Sequence, residues 1–88
     1  MRVGRLKFNP GNDRYGIWWD NDWFHSGLHC GECLEVMLEG CWVQTRVEMA
    51  EGFFLIGTPY RNCLENIPVR FWEEWRYVQS DAQKLLSR

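Results

Sequence analysis

Between residues 34 and 57 the chain alternates with period two three times in succession. Leu34, Val36 and Leu38 alternate with Glu35, Met37 and Glu39. After Glu39-Gly40, Val43, Thr45, Val47 and Met49 alternate with Trp42, Gln44, Arg46 and Glu48. After Glu51-Gly52 comes the short aromatic run Phe53-Phe54-Leu55-Ile56-Gly57. Period two places alternate residues on opposite faces of a strand, and short Gly-containing turns return the chain antiparallel. A β-meander is therefore predicted here.

The same logic extends to both sides. Gly4–Phe8 and Arg14–Trp19 flank the turn cluster Asn9-Pro10-Gly11-Asn12-Asp13 and read as a hairpin. Asp20-Asn21-Asp22 is a further turn, and Trp23 to Gly27 reads as a loop. Ile67–Phe71 reads as a short strand, with Pro68 suited to an edge or a strand start. From Phe71 the spacing changes. Phe71, Trp75, Val78, Ala82 and Leu85 recur every three or four residues, which predicts a helix over 72–86. The expected fold is mainly β: a small SH3-like bent barrel of five to six antiparallel strands over residues 1–71. A C-terminal α-helix over 72–88 is expected to pack on the barrel or on a second copy. A chain of 88 residues is one domain and buries about 60–65% of its unfolded surface.

Net charge is −2, but its distribution is uneven. Residues 21–68 carry two cations and seven carboxylates, between mildly basic ends. That argues against unassisted duplex binding, which needs several Lys and Arg on one face. No apolar run approaches the ~18–20 residues of a bilayer span, so no membrane partner is expected. Met1-Arg2-Val3-Gly4-Arg5 lacks the apolar centre of a secretion signal. The cytoplasm is the expected compartment, with Cys30, Cys33, Cys41 and Cys63 reduced and packed as small buried or half-buried thiols.

Six tryptophans are many for one small core. Adjacent Trp18 and Trp19 must face opposite sides of a strand. Trp42 shares a face with Gln44, Arg46 and Glu48, and Trp23 follows an acidic turn. Trp72 and Trp75 are assigned to packing. Trp18, Trp19, Trp23, Trp42 and Arg46 are thus the candidate contact surface.

Gly27-Leu28-His29-Cys30-Gly31-Glu32, together with Gly4-Arg5-Leu6, Arg14-Tyr15-Gly16 and Gly40-Cys41-Trp42, resembles a small uncharacterised family of bacterial proteins, a domain of unknown function. The resemblance covers roughly residues 4 to 71. It implies an origin in Gram-positive bacteria or their mobile elements, and it brings no activity with it.

Cys30-Gly31-Glu32-Cys33 has the spacing of half a zinc site, with His25, His29, Cys41 and Cys63 as completing ligands. Only one pair has that spacing, so His29, Cys30, Gly31 and Glu32 read first as a rigid structural turn, and no metal or cofactor is expected. A redox role would need a helix N-terminus after Cys30, where the pattern gives a strand. No nucleophile–base arrangement is visible, so an enzyme is not expected. The leading expectation is a non-enzymatic protein-binding module, with a host nucleic-acid enzyme or defence protein as partner. The alternatives are a single-stranded nucleic-acid binder using Arg5, Lys7, Arg14 and Arg46 beside aromatics, and a structural zinc or thiol protein. Homodimerisation through the C-terminal helix is a further expectation.

Overall fold

The computed structural model describes residues 1–74. Seven strands follow in order: β1 Arg2–Asn9, β2 Arg14–Trp19, β3 Asp22–His25, β4 Cys33–Leu38, β5 Cys41–Met49, β6 Phe53–Leu55 and β7 Pro68–Phe71. They form one antiparallel sheet in the order β3-β2-β1-β7-β4-β5-β6.

Turn chemistry explains the hairpins. Asp20-Asn21 and Glu39-Gly40 each link paired strands with two residues at positive φ, the backbone that matches strand twist. Between β1 and β2, Asn9 Oδ1 accepts from the Gly11 N–H at 2.9 Å, and Asn12 Oδ1 accepts from the Arg14 N–H at 3.0 Å. These side chains supply the turn's hydrogen bonds locally.

The inner face carries the core. Leu6, Tyr15, Ile17, Phe24, Leu34, Val36, Val47, Leu55, Val69 and Phe71 are buried, joined by Leu28, Leu64 and Ile67 from the connections. Phe71 lies 4.1 Å from Phe24 between ring centroids, and Trp19 meets Phe71 edge-on at 5.7 Å. Edge-on aromatic pairs add to the burial of the rings themselves.

Three sequence expectations are corrected. First, the barrel does not close. β7 enters between β1 and β4, so β3 and β6 become the two ends of an open sheet and do not pair with each other. The strands number seven rather than five or six, because Asp22–His25 pairs with β2 through a register shift at Ile17/Trp18 instead of forming a loop. Second, no helix occurs among the described residues, and Glu73 and Glu74 form a turn rather than a helix start. Phe71 entered the apolar stripe as a strand residue: it alternates with Val69 and both are fully buried. Trp72 is 46% exposed, not packed. The rest of the predicted helix, with Trp75, lies outside the described residues. Third, all four cysteines are exposed and free.

The segment Gly27–Glu32 ties the two halves of the sheet together. The Leu28 N–H donates to the Tyr15 carbonyl of β2 at 2.8 Å, and the Gly31 N–H donates to the Val47 carbonyl of β5 at 2.8 Å. The Val47 N–H returns a bond to the Glu32 carbonyl at 3.1 Å. Asn9 and Asn12 both donate to the Ser26 carbonyl, and Arg14 Nη1 donates to the Leu28 carbonyl at 3.3 Å.

Candidate functional site

Residues directly opposite each other in an antiparallel pair share a face. Register therefore traces the outer face across the whole sheet. Trp23 lies opposite Trp18, and Trp18 opposite Arg5. Val3 lies opposite Arg70, Arg70 opposite Glu35, and Glu35 opposite Gln44. Met37 faces Trp42, Cys33 faces Arg46, and Glu48 faces Phe54. Five strand positions on this face are cationic (Arg5, Lys7, Arg14, Arg46, Arg70) and two are anionic (Glu35, Glu48). The other described carboxylates sit in turns, loops or at a strand end.

Cations on this face lie over aromatic rings. Lys7 Nζ is 4.1 Å from the Trp18 ring centroid, and Trp23 meets Trp18 edge-on at 5.1 Å. The Arg70 guanidinium is 5.2 Å from Trp42, and that of Arg61 is 4.8 Å from Phe54. The quadrupole of each ring attracts the charge and orders both side chains.

The two ends of the face differ in how their charge is used. Arg70 hydrogen-bonds the Glu35 carboxylate, and Arg46 lies 3.6 Å from Glu48. Among the described residues no ion pair involves Arg5 or Lys7. Arg5 Nη1 instead donates to Asn66 Oδ1 at 2.5 Å. Beside Arg5 and Trp18, a cleft of about 390 Å³ opens where β1 leaves β2 for β7, lined by Val3, Gly4, Arg5, Trp18, Trp19, Asp20 and Asn21.

The sequence-predicted residues separate accordingly. Trp18 and Trp23 stand together on the outer face, and Trp42 and Arg46 stand at its other end. Trp19 turns inward against Phe71 and Phe24 and lines the cleft. Arg14 is drawn to the Leu28 carbonyl. Arg70 and Arg61 were missed. Arg70 sits in a strand whose partners are both distant in sequence, so no local spacing announces its contact with Trp42. Lys7 over Trp18 was within reach: counting back from the Asn9–Arg14 turn pairs Arg5 with Trp18.

His25, Glu32 and the thiols do not assemble a metal centre. Cys30 lines a cleft with Asn12, Asp13, Arg14, Met49 and Phe53, whereas Cys33 lines another with Gln44, Thr45, Arg46 and Ile56. Among the described residues no three His, Cys, Asp or Glu side chains gather as metal ligands. His25 Nε2 lies 2.8 Å from Glu32 Oε2, while the Gly27 N–H donates to His25 Nδ1 at 3.3 Å. Burial opposes the Glu32 charge, but the His25 hydrogen bond and charge, with the His29 backbone and ring, outweigh it and hold the carboxyl below its ordinary pKa. His29 is exposed, and its carbonyl accepts the Glu32 N–H at 3.0 Å. The pair braces the crossing segment at the end of β3.

The sheet and the segment that ties its halves together fall within a known family. Residues 4–71 match the model of a domain of unknown function (DUF5348). The chain belongs to this family. A crystal structure of a protein from Ruminococcus gnavus is also similar, at 35% identity and a TM-score of 0.70, covering 80% of this chain and 100% of that one. No curated protein matches. Family membership covers both the bracket and the outer face. Gly16 sits where a Cβ would strike the His25 carbonyl oxygen, so a side chain there would push β3 off β2. Among the described residues, no helix is long and apolar enough to cross a membrane.

Proposed function

We propose that this domain is a non-enzymatic binding module whose ligand is a single-stranded nucleic acid, held on the outer face of the sheet at β1–β3. One observation carries the reading: Trp18 and Trp23 stand side by side on the outer face of the sheet, with Lys7 and Arg5 beside them and, among the described residues, paired with no carboxylate. Bases stack on such rings whatever their sequence, while neighbouring cations take the phosphates. The chain's overall charge of −2 does not oppose this. Exposed charges act within a Debye length of about 8–10 Å, so a strand on Trp18 meets Arg5 and Lys7 beside the ring and Asp20 and Asp22 of the adjoining turn rather than the net charge.

The protein-partner expectation rests on the same rings, but two cations next to them that pair with no described carboxylate favour a polyanion over a neutral peptide. A cytoplasmic setting in a bacterium or mobile element, where single strands arise during replication and transfer, fits this ligand. The test is quenching of tryptophan fluorescence by a short mixed-sequence oligonucleotide at low salt. Binding is expected, weakening with a slope of about −1.4 in log K against log salt if Arg5 and Lys7 are the two phosphate contacts. Absence of any quench or mobility shift at low salt overturns it, and a protein ligand for this face becomes the surviving reading.

A further inference from the structure

We infer that the cleft between β1 and β2 is a base-reading pocket that favours bases with an exocyclic amino group over thymine or uracil. The inference rests on the proposed single-strand platform and names what that platform selects. The cleft adjoins the platform, since Arg5 and Trp18 line both. A strand whose bases stack on Trp18 and Trp23 can therefore deliver its next base into it.

The walls are fixed before any ligand arrives. Trp19 is held from the core by edge-on contacts with Phe71 and Phe24, and the Arg2 guanidinium lies 5.6 Å from its ring. Gly4 lines the cleft where a Cβ would fall 2.6 Å from the Trp18 carbonyl oxygen, so the strands close together only without a side chain. Asp20 and Asn21 are set by a two-residue turn with φ of 56° and 59°. Preformed pockets with a few placed polar groups give orientation and specificity.

Asp20 decides which base fits. Its carboxylate is an acceptor, and among the described residues it forms no ion pair. Adenine and cytosine present an amino group at the edge that carries their identity, and thymine presents a carbonyl oxygen there. An amino group facing Asp20 makes a charge-assisted hydrogen bond, whereas a carbonyl oxygen faces it with lone pairs. Asn21, which also lines the cleft, carries an amide that can donate to the ring-nitrogen and carbonyl acceptors that accompany either amino group.

The experiment is a fluorescence titration of the full chain with oligo(dA), oligo(dC) and oligo(dT) of about eight nucleotides. Wild type is expected to bind oligo(dA) and oligo(dC) about five- to tenfold more tightly than oligo(dT). Asp20→Gly, which keeps the positive φ, is expected to bring that ratio close to one without weakening oligo(dT). Equal wild-type binding of all three, or an unchanged ratio in D20G, overturns the pocket and leaves the platform standing. Failure of every oligonucleotide to bind overturns both. The wild-type comparison stands by itself if D20G does not fold.

Discussion

The two halves of the sheet present similar outer surfaces and use them differently. In the β4–β6 half, Trp42 and Arg46 sit among carboxylates: Glu35 holds Arg70 and Glu48 holds Arg46. In the β1–β3 half, Trp18 and Trp23 sit beside Lys7 and Arg5, and no described carboxylate pairs with either cation. An aromatic beside a neutralised cation is a packed surface. An aromatic beside a free cation is a surface with charge left for a ligand. Composition cannot separate the two, because both halves contribute the same residue types.

The comparison is broken most severely by removing its common anchor. Phe71→Ala takes the ring from under Trp19 and Phe24, and a loss of about 3–5 kcal/mol is expected in denaturant unfolding, because a large core side chain leaves a cavity. Equal stability of F71A and wild type would mean that the β1–β3 half is not supported from the core. Next comes Trp18→Ala, expected to weaken oligonucleotide binding by about 1–3 kcal/mol, against little change for Trp42→Ala. A smaller effect follows from Lys7→Ala, which should lower the salt slope by about 0.7 while leaving the thermal midpoint nearly unchanged. Glu35→Gln sharpens the contrast from the other side. It frees Arg70, and a modest gain in affinity with a steeper salt slope is expected. No change in slope would show that neutralisation of Arg70 by Glu35 is not what keeps the β4–β6 half from binding.

The smallest effect is a pH dependence located away from both halves of the face. Glu32 has a folded pKa below its ordinary value, so the stability it contributes is present above that ordinary value. It is lost as pH falls through the lowered folded value. The acid-side fall in thermal midpoint should be shallower in Glu32→Gln than in wild type. Identical acid profiles would show that the His25–Glu32 pair does not brace the crossing segment.

Local pattern carried much of this fold and stopped where pairing became distant. The β1–β2 hairpin and the β4–β5–β6 meander were legible because period-two alternation and turn residues lie within a few positions of each other. β3 was not, since four residues beginning at an acidic turn and shifted in register leave no clean alternation. The open sheet was not legible either. It depends on β7 joining β1 to β4 across more than thirty residues of chain on each side, which no spacing records. The Gly27–Glu32 segment was legible as a structural turn from its residue types, but the strands it joins emerge only from its bonds to Tyr15 and Val47. In the site, the opposition of Trp18 and Trp19 followed from adjacency. The pairing of Arg70 with Glu35, which sets the two halves apart, is non-local and emerged only in three dimensions.

The most direct measurement is to follow the indole N–H resonances of the tryptophans during titration with a short single-stranded oligonucleotide at low salt. The account predicts that Trp18 and Trp23 shift together and saturably, with Trp19 following through the cleft and Trp42 staying in place. A titration in which Trp42 moves first, or in which Trp18 and Trp23 do not move while the oligonucleotide binds, would contradict it.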